Sequence, residues 1–312
     1  MSPEPVADLA EVTKSFVGSD AVRDLSLSVR GGQIFGLIGP SGCGKTTTIR
    51  LLVGVLAPTK GQIRVMGSDP RRFTTSQRER IGYAPQGFFL YPTLTVKENL
   101  RFVASLFGIG WFARRRRVKR VLTFLELWDA RKRLTRHLSG GMQRRLELAC
   151  ALVHDPTILF VDEPTTGLDP VLREKIWEYL RALRSEGRTV FVTTQLIDEI
   201  EHCDTVAIMN RGRLVATGSP AALRQQAMGG EVVEVEADGV TQDDLSRLRE
   251  LPGIQRVQWT NDGALRVIAD NAATATPAIT AVLQRGGDRV AAVREFVPSF
   301  DEVFKQIVSS NA

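Results

Sequence analysis

IFGLIGPSGCGKTTTIRLLVGVL, residues 34–56, decides the fold. It opens on an unbroken apolar run, IFGLIG, as a strand buried on both faces requires, and it closes on TTTIRLLVGVL, whose apolar residues recur at helical spacing. Glycines join the two, so the order is strand, glycine loop, helix. Two more buried runs, TILFVD at 157–162 and TVFVTT at 189–194, enclose the helical stretch REKIWEYLRALRSEG. Buried strands alternating with helices predict an α/β architecture with a parallel sheet.

Outward from this core the patterns change. Residues 6–30 alternate apolar and polar positions, which predicts half-exposed antiparallel strands. From about Val96 to Val153 the spacing predicts helix throughout, including WFARRRRVKRVLTFLELWDA at 111–130, and hence a helical subdomain. Gly229 and Gly230 mark a boundary between a domain at 1–228 and a smaller one at 229–312. The smaller one reads strand, helix, strand, strand, helix, strand, then a closing helix, the order of a split βαβ, ferredoxin-like α+β unit.

The loop carries chemistry. Gly39, Gly44, Lys45 and Thr46 fall at the spacing of a phosphate-binding loop, with Pro40, Ser41, Gly42 and Cys43 between them and Thr47 behind. Its glycines let backbone N–H groups curl around phosphates, and the helix start adds partial positive charge. Lys45 is placed to reach the β and γ phosphates, and Thr46 to ligate magnesium. Asp162 and Glu163 follow a buried strand at its C-terminal end, the edge where α/β sheets bind ligands. Such a pair serves elsewhere to cap the next helix; beside the loop it suits magnesium, through Asp162, and an attacking water, through Glu163.

LSGGMQRRLELACAL, from Leu138, resembles the signature motif of the ABC ATPases and precedes the acidic strand as it does in that family. Ser139, Gly140 and Gly141 would start a second anion-binding helix. The resemblance implies an ABC-type P-loop ATPase that binds ATP and Mg2+. It also implies a head-to-tail dimer in which the signature of one subunit closes over ATP on the other. Phe16 stands where the family stacks an aromatic residue on adenine, although a core phenylalanine is the bland alternative. Gln86 in IGYAPQ resembles the Q-loop glutamine, which touches magnesium and water and faces the membrane partner. Asp169 in GLDP is similar to the D-loop aspartate at the dimer seam. Gln195 stands where the family has a histidine that senses the γ phosphate; glutamine can donate a hydrogen bond but cannot carry a proton, so slower turnover is expected. His202 is too far along to substitute, and Ile or Val packing is the expected context for it. Cys43, at a helix N-terminus, is expected to have a lowered thiol pKa or simply to fit a tight loop; in the first case alkylation would block ATP binding.

Cargo selection and location rest on other features. No apolar run approaches the roughly 20 residues of a spanning helix, so membrane association is expected through a partner. The start, MSPEPVADLAEV, does not read as a secretory signal, and Cys43, Cys150 and Cys203 are too scattered for a disulfide framework; both fit a reducing cytosol. The net charge of +6 is spread along the chain apart from RRRRVK at 114–119 and RKR at 131–133. These runs read as a solvated helix face, or as contacts to anionic lipid or nucleic acid; no aromatic interleaving supports base stacking, so no nucleic-acid partner is expected. FGLIGPSGCGKTTTIRLLVG, TTGLDP and the closing PSFDEVFKQIV resemble the ATPases of drug, antibiotic and lipid exporters of the daunorubicin-resistance type. That resemblance implies an integral membrane permease as partner, a second ATPase subunit, homodimeric in the simplest case, and a place on the cytoplasmic face of the membrane. The competing readings are an idle regulatory ABC subunit and a soluble nucleic-acid-associated ABC ATPase.

Overall fold

The computed structural model describes residues 4–87, 90–260, 264–286 and 289–310, which divide into two units, Met1–Thr217 and Gly218–Ala312. The first unit runs β1 (Ala7–Phe16), β2 (Ser19–Val29), β3 (Ile34–Ile38), α1 (Lys45–Leu52), β4 (Lys60–Val65), α2 (Thr75–Arg78) and β5 (Ile81–Ala84). It continues with α3 (Val96–Leu106), α4 (Trp111–Phe124), α5 (Gly140–Leu152), β6 (Ile158–Asp162), α6 (Pro170–Ser185), β7 (Thr189–Thr194), β8 (Thr205–Asn210) and β9 (Arg213–Gly218).

Two sheets form. β2, β1 and β4 make an antiparallel sheet whose alternating burial along β2 turns one face to the core and the other to solvent. The larger sheet has the order β5-β6-β7-β3-β8-β9, and its first five strands are parallel. Every residue of β3, β6 and β7 is buried, which is why these segments read as unbroken apolar runs. Parallel register pairs Ile38 with Thr194 and Asp162 with Thr193. The residues that leave the C-terminal ends of β3, β6 and β7 therefore emerge side by side.

The stretch 96–153 is not helical throughout. α4 ends at Phe124, and Glu126 takes a positive φ of 54°. Leu125 and Leu127, two apart, are both fully buried, a pattern that one continuing helix face cannot supply. The turn is closed by Leu127 N–H donating to the Leu122 carbonyl at 2.7 Å.

The second unit holds α7 (Pro220–Met228), β10 (Glu231–Asp238), α8 (Gln242–Arg249), β11 (Ile254–Trp259), β12 (Leu265–Ala269), α9 (Ala272–Gly286), β13 (Arg289–Phe296) and α10 (Phe300–Ser310). Its sheet has the order β11-β12-β10-β13 with antiparallel neighbours, the arrangement of a ferredoxin-like unit, and Val233, Val235, Val267, Ile279 and Leu283 form its core. The contact boundary lies before α7, whereas the sequence placed it after that helix; α7 packs on α10, with Arg224 over the Phe300 ring at 4.1 Å. α9 starts at Ala272, ahead of Pro277. Asn271 caps it, accepting from Thr274 N–H at 3.0 Å.

Candidate functional site

The loop between β3 and α1 is held open by glycine. Gly44 has φ 109°, and a Cβ there would collide with the Ala21 carbonyl, so no other residue fits. Gly39 is equally confined, against the Met209 carbonyl. Lys45, the first residue of α1, is buried and folds back on its own loop: its Nζ donates to the carbonyls of Gly39 at 2.7 Å and Pro40 at 3.1 Å. Ser41 and Gly42 form the exposed rim.

Across the sheet edge, Lys45 Nζ lies 3.5 Å from Glu163 Oε1. The other oxygen of Glu163 accepts from Gln86 Nε2 at 2.8 Å and from Thr166 Oγ1 at 3.2 Å. Asp162 Oδ1 accepts from Thr193 Oγ1 at 2.5 Å and from Thr46 Oγ1 at 3.3 Å. Asp162 Oδ2 is buried without a hydrogen-bond partner among the described residues. A carboxylate with one oxygen unspent, beside a hydroxyl, is a donor set that suits a hard divalent cation. No group of three or more His, Cys, Asp or Glu is poised for a metal among the described residues, and magnesium commonly completes its shell from phosphates and water.

The structure thus gathers Lys45, Thr46, Asp162, Glu163 and Gln86 at one place. Ser139, Gly140, Gly141 and Asp169 lie at the starts of α5 and α6, and among the described residues no hydrogen bond or ion pair joins their side chains to that cluster. Ser139 caps α5 by accepting from Met142 N–H at 3.3 Å, and Asp169 caps α6 by accepting from Leu172 N–H at 3.0 Å. These starts abut, since a Cβ on Gly141 would come within 2.5 Å of Leu172 Cδ1. Ser139, Gly140 and Asp169 are exposed. Phe16 ends β1 with its ring 48% exposed and Lys14 Nζ 5.1 Å above it, so it is no core residue. Gln195 is exposed on the bend after β7, and Thr47 is half-buried on α1.

Of the two readings of Cys43 the lowered thiol pKa is opposed, while a small buried residue in a tight loop agrees with the structure. Cys43 is buried against the apolar core beneath the loop, and burial pushes its thiol pKa up, outweighing the nearby Lys45 charge. Thiolate chemistry at neutral pH is therefore suppressed. His202, for which Ile or Val packing is the expectation, has an aromatic and charged setting: its ring stacks on Trp177 at 4.7 Å, and its Nδ1 lies 2.8 Å from Arg181 Nη1. Partial burial there lowers its pKa.

Three further residues escaped sequence reading. Thr193 both donates to Asp162 and accepts from the Glu163 N–H at 3.1 Å, holding Glu163 at its positive φ of 49°. Thr166 steadies Glu163. Arg144, inside the signature helix α5, donates to the carbonyls of Pro85, Asp162, Glu163 and Pro164 at 2.7–3.1 Å and to Glu147 at 2.7 Å. One guanidinium thus ties that helix to both the acidic strand end and the segment bearing Gln86. Its arginine-rich surroundings gave no signal separating it from Arg145.

A strand, glycine loop and helix with a carboxylate pair at the neighbouring strand end define a P-loop nucleotide-binding protein. The family model of the ABC transporter ATPase matches residues 22–166, and that of the C-terminal domain of DrrA1-3-like ATP-binding proteins matches 218–308. Nod factor export ATP-binding protein I of Paraburkholderia xenovorans (strain LB400) is 42% identical over 234 residues, 75% of this chain and 77% of that protein. The probable multidrug ABC transporter ATP-binding protein YbhF of Escherichia coli (strain K12) is 40% identical over 228 residues; the chain spans 39% of that longer protein. The dimeric, post-hydrolysis ATP-binding cassette MJ0796 bound to ADP and Pi is similar with a TM-score of 0.63 at 27% identity, covering 68% of this chain and 98% of that one. The chain belongs to the ABC transporter ATP-binding proteins, with a DrrA-like C-terminal domain. Among the described residues no helix is long and apolar enough to cross a membrane.

Proposed function

We propose that this chain hydrolyses ATP between two ATPase subunits and so drives export of a drug, antibiotic or lipid-like molecule through a separate membrane-spanning permease. The observation that carries the reading is the junction at Glu163, where Lys45, Gln86 and Thr166 meet one carboxylate beside the Asp162–Thr46 pair. When ATP enters, Lys45 exchanges its loop carbonyls for the β and γ phosphate oxygens. The backbone N–H groups of Gly42, Cys43, Gly44, Thr46 and Thr47 line the phosphates, and Phe16 stacks on adenine. Thr46 and Asp162, with Gln86 at the edge, would hold magnesium, which would supply positive charge to offset that of the phosphates.

Glu163, freed from Lys45, orients a water with Gln86 and accepts its proton as the water oxygen bonds to the γ phosphorus. The bond from that phosphorus to the β–γ bridging oxygen breaks, and ADP leaves with the electron pair. Ser139, Gly140 and Gly141 of a second subunit close over the γ phosphate, and Asp169 lies at the seam. Their place at helix starts, with no side-chain hydrogen bond or ion pair to the Lys45 cluster among the described residues, supports this. Gln195 donates a hydrogen bond to the γ phosphate but moves no proton, so turnover is slow and not absent.

Permease contact has its own support. A groove of about 270 Å3, lined by Tyr83, Pro85, Leu90, Tyr91 and Phe107, runs up to the segment that carries Gln86. A cytoplasmic permease segment seated there would bear on Gln86 and, through Arg144, on Glu163. The likeness to multidrug and Nod factor export proteins supports export and a place on the cytoplasmic membrane face. Purification from membranes tests this: the reading expects an integral membrane protein to copurify and the complex to hydrolyse ATP. Absence of hydrolysis would favour the idle regulatory subunit instead.

A further inference from the structure

Helix α4 presents Trp111, Phe112, Arg115, Arg116 and Lys119 on one side, at spacings of three and four residues, and all five are exposed. The two rings, 54% and 83% exposed, pack edge to face on each other at 5.1 Å and bury little else. Before the turn that joins α3 to α4, Phe102 and Leu106 add exposed apolar surface, Leu106 at 70%. Large apolar side chains left in water side by side, as Trp111 and Phe112 are, mark a contact surface.

Cations predominate beside them, although Glu98 lies near enough to Arg101 to feel its charge. Lys97 is pushed below the usual lysine pKa by desolvation and then by its neighbours Arg101, Arg115, Arg131 and Lys132, all of them cations. Among the described residues none of Lys97, Arg101, Arg115, Arg116 and Lys132 has a carboxylate within ion-pair distance, whereas Arg120, one turn on, pairs with Asp155 at 2.9 Å. This concentration of exposed cations would attract an external polyanion.

We infer that the exposed side of α4, with the end of α3, is a membrane-contact surface for anionic lipid, in which Trp111 and Phe112 enter the headgroup boundary while Arg115, Arg116 and Lys97 meet the lipid phosphates. Aromatic rings with adjoining cations are the composition of interfacial helices. With 14 residues α4 is too short to span a bilayer and can only lie along it. Nucleic acid fits less well, because exposed Leu106 and edge-packed rings offer no stacking platform. The surface would hold the ATPase against the bilayer beside its permease.

The test uses the full chain, vesicles of phosphatidylglycerol and phosphatidylcholine in equal parts, and vesicles of phosphatidylcholine alone. Cosedimentation should occur with the anionic vesicles only and weaken with added salt. Arg115→Glu with Arg116→Glu, and separately Trp111→Ala with Phe112→Ala, should each weaken it by roughly tenfold or more, with unchanged circular dichroism and basal ATP hydrolysis. Vesicle binding should also shift tryptophan emission to the blue, and Trp111→Phe should abolish that shift. Equal binding to both vesicle types, or insensitivity to both variants, would overturn the inference. So would capture by duplex DNA without capture by anionic vesicles, or binding only to membranes that contain the permease.

Discussion

Lys45 Nζ sits 3.5 Å from Glu163 Oε1, with the two side chains 3% and 7% exposed, so the loop cation and the carboxylate proposed to activate water are partners before nucleotide arrives. On the proposed mechanism phosphate would compete for Lys45 and release Glu163, so that this ion pair would link binding to readiness for hydrolysis.

Removing either partner alone leaves the other buried without its counterion, which costs about 3 kcal/mol or more. Lys45→Met and Glu163→Gln should each lower the urea midpoint of the nucleotide-free protein. The double variant should lose less than the sum, with a coupling of about 1–3 kcal/mol. Strict additivity in denaturation would contradict the pairing. Lys45→Met should also abolish nucleotide binding, which Glu163→Gln should keep.

Arg144→Ala strips hydrogen bonds from four backbone carbonyls, each partly or fully buried group costing about 1–3 kcal/mol when unsatisfied. We expect a loss of about 3 kcal/mol or more in stability, and a fall in hydrolysis larger than the fall in ATP affinity. Arg144→Lys restores charge without the fan of donors and should recover little. Calorimetry with phosphate-release kinetics checks both.

Much of this site was legible in the sequence because buried parallel strands leave unbroken apolar runs, and the residues just past their ends must share an edge. Lys45, Asp162 and Glu163 follow from that. What stayed hidden depends on donors converging from far along the chain: Thr193 beneath Asp162, Thr166 beneath Glu163, and Arg144 between three segments. Periodicity reports which side of an element is buried, not what a polar group meets there. The end of α4 was missed because LEL continues a helical pattern in composition while alternating in burial. At Cys43 the helix start alone suggests a lowered thiol pKa, but burial, which the sequence does not display, opposes it.

Replacing Gln195 by His should raise steady-state hydrolysis and introduce a dependence on pH near about 6.5, the usual imidazole value. The native chain, with an amide there, should lack that inflection. Phosphate release measured from about one pH unit below that value to about two above it distinguishes them; an unchanged or slower variant would count against the assigned role.

Burial raises the Cys43 thiol above 9.0, so it stays protonated through neutral pH and should react with iodoacetamide far more slowly than in the unfolded chain. Cys203, also buried, is raised further. A raised thiol pKa means that the unfolded chain gives up its proton first, so stability from these groups is complete below pH 9.0 and is lost as pH rises beyond it. Denaturation midpoints at rising alkaline pH should fall, and Cys203→Ala should fall less steeply. A rise would contradict the assignment.

If two chains complete the nucleotide pocket, as proposed, Glu163→Gln held with saturating ATP and magnesium should be a dimer. Light scattering on this trapped protein should give twice the chain mass of 34.4 kDa, reverting to one chain without nucleotide and in Ser139→Arg. A single-chain mass with ATP demonstrably bound would contradict the account.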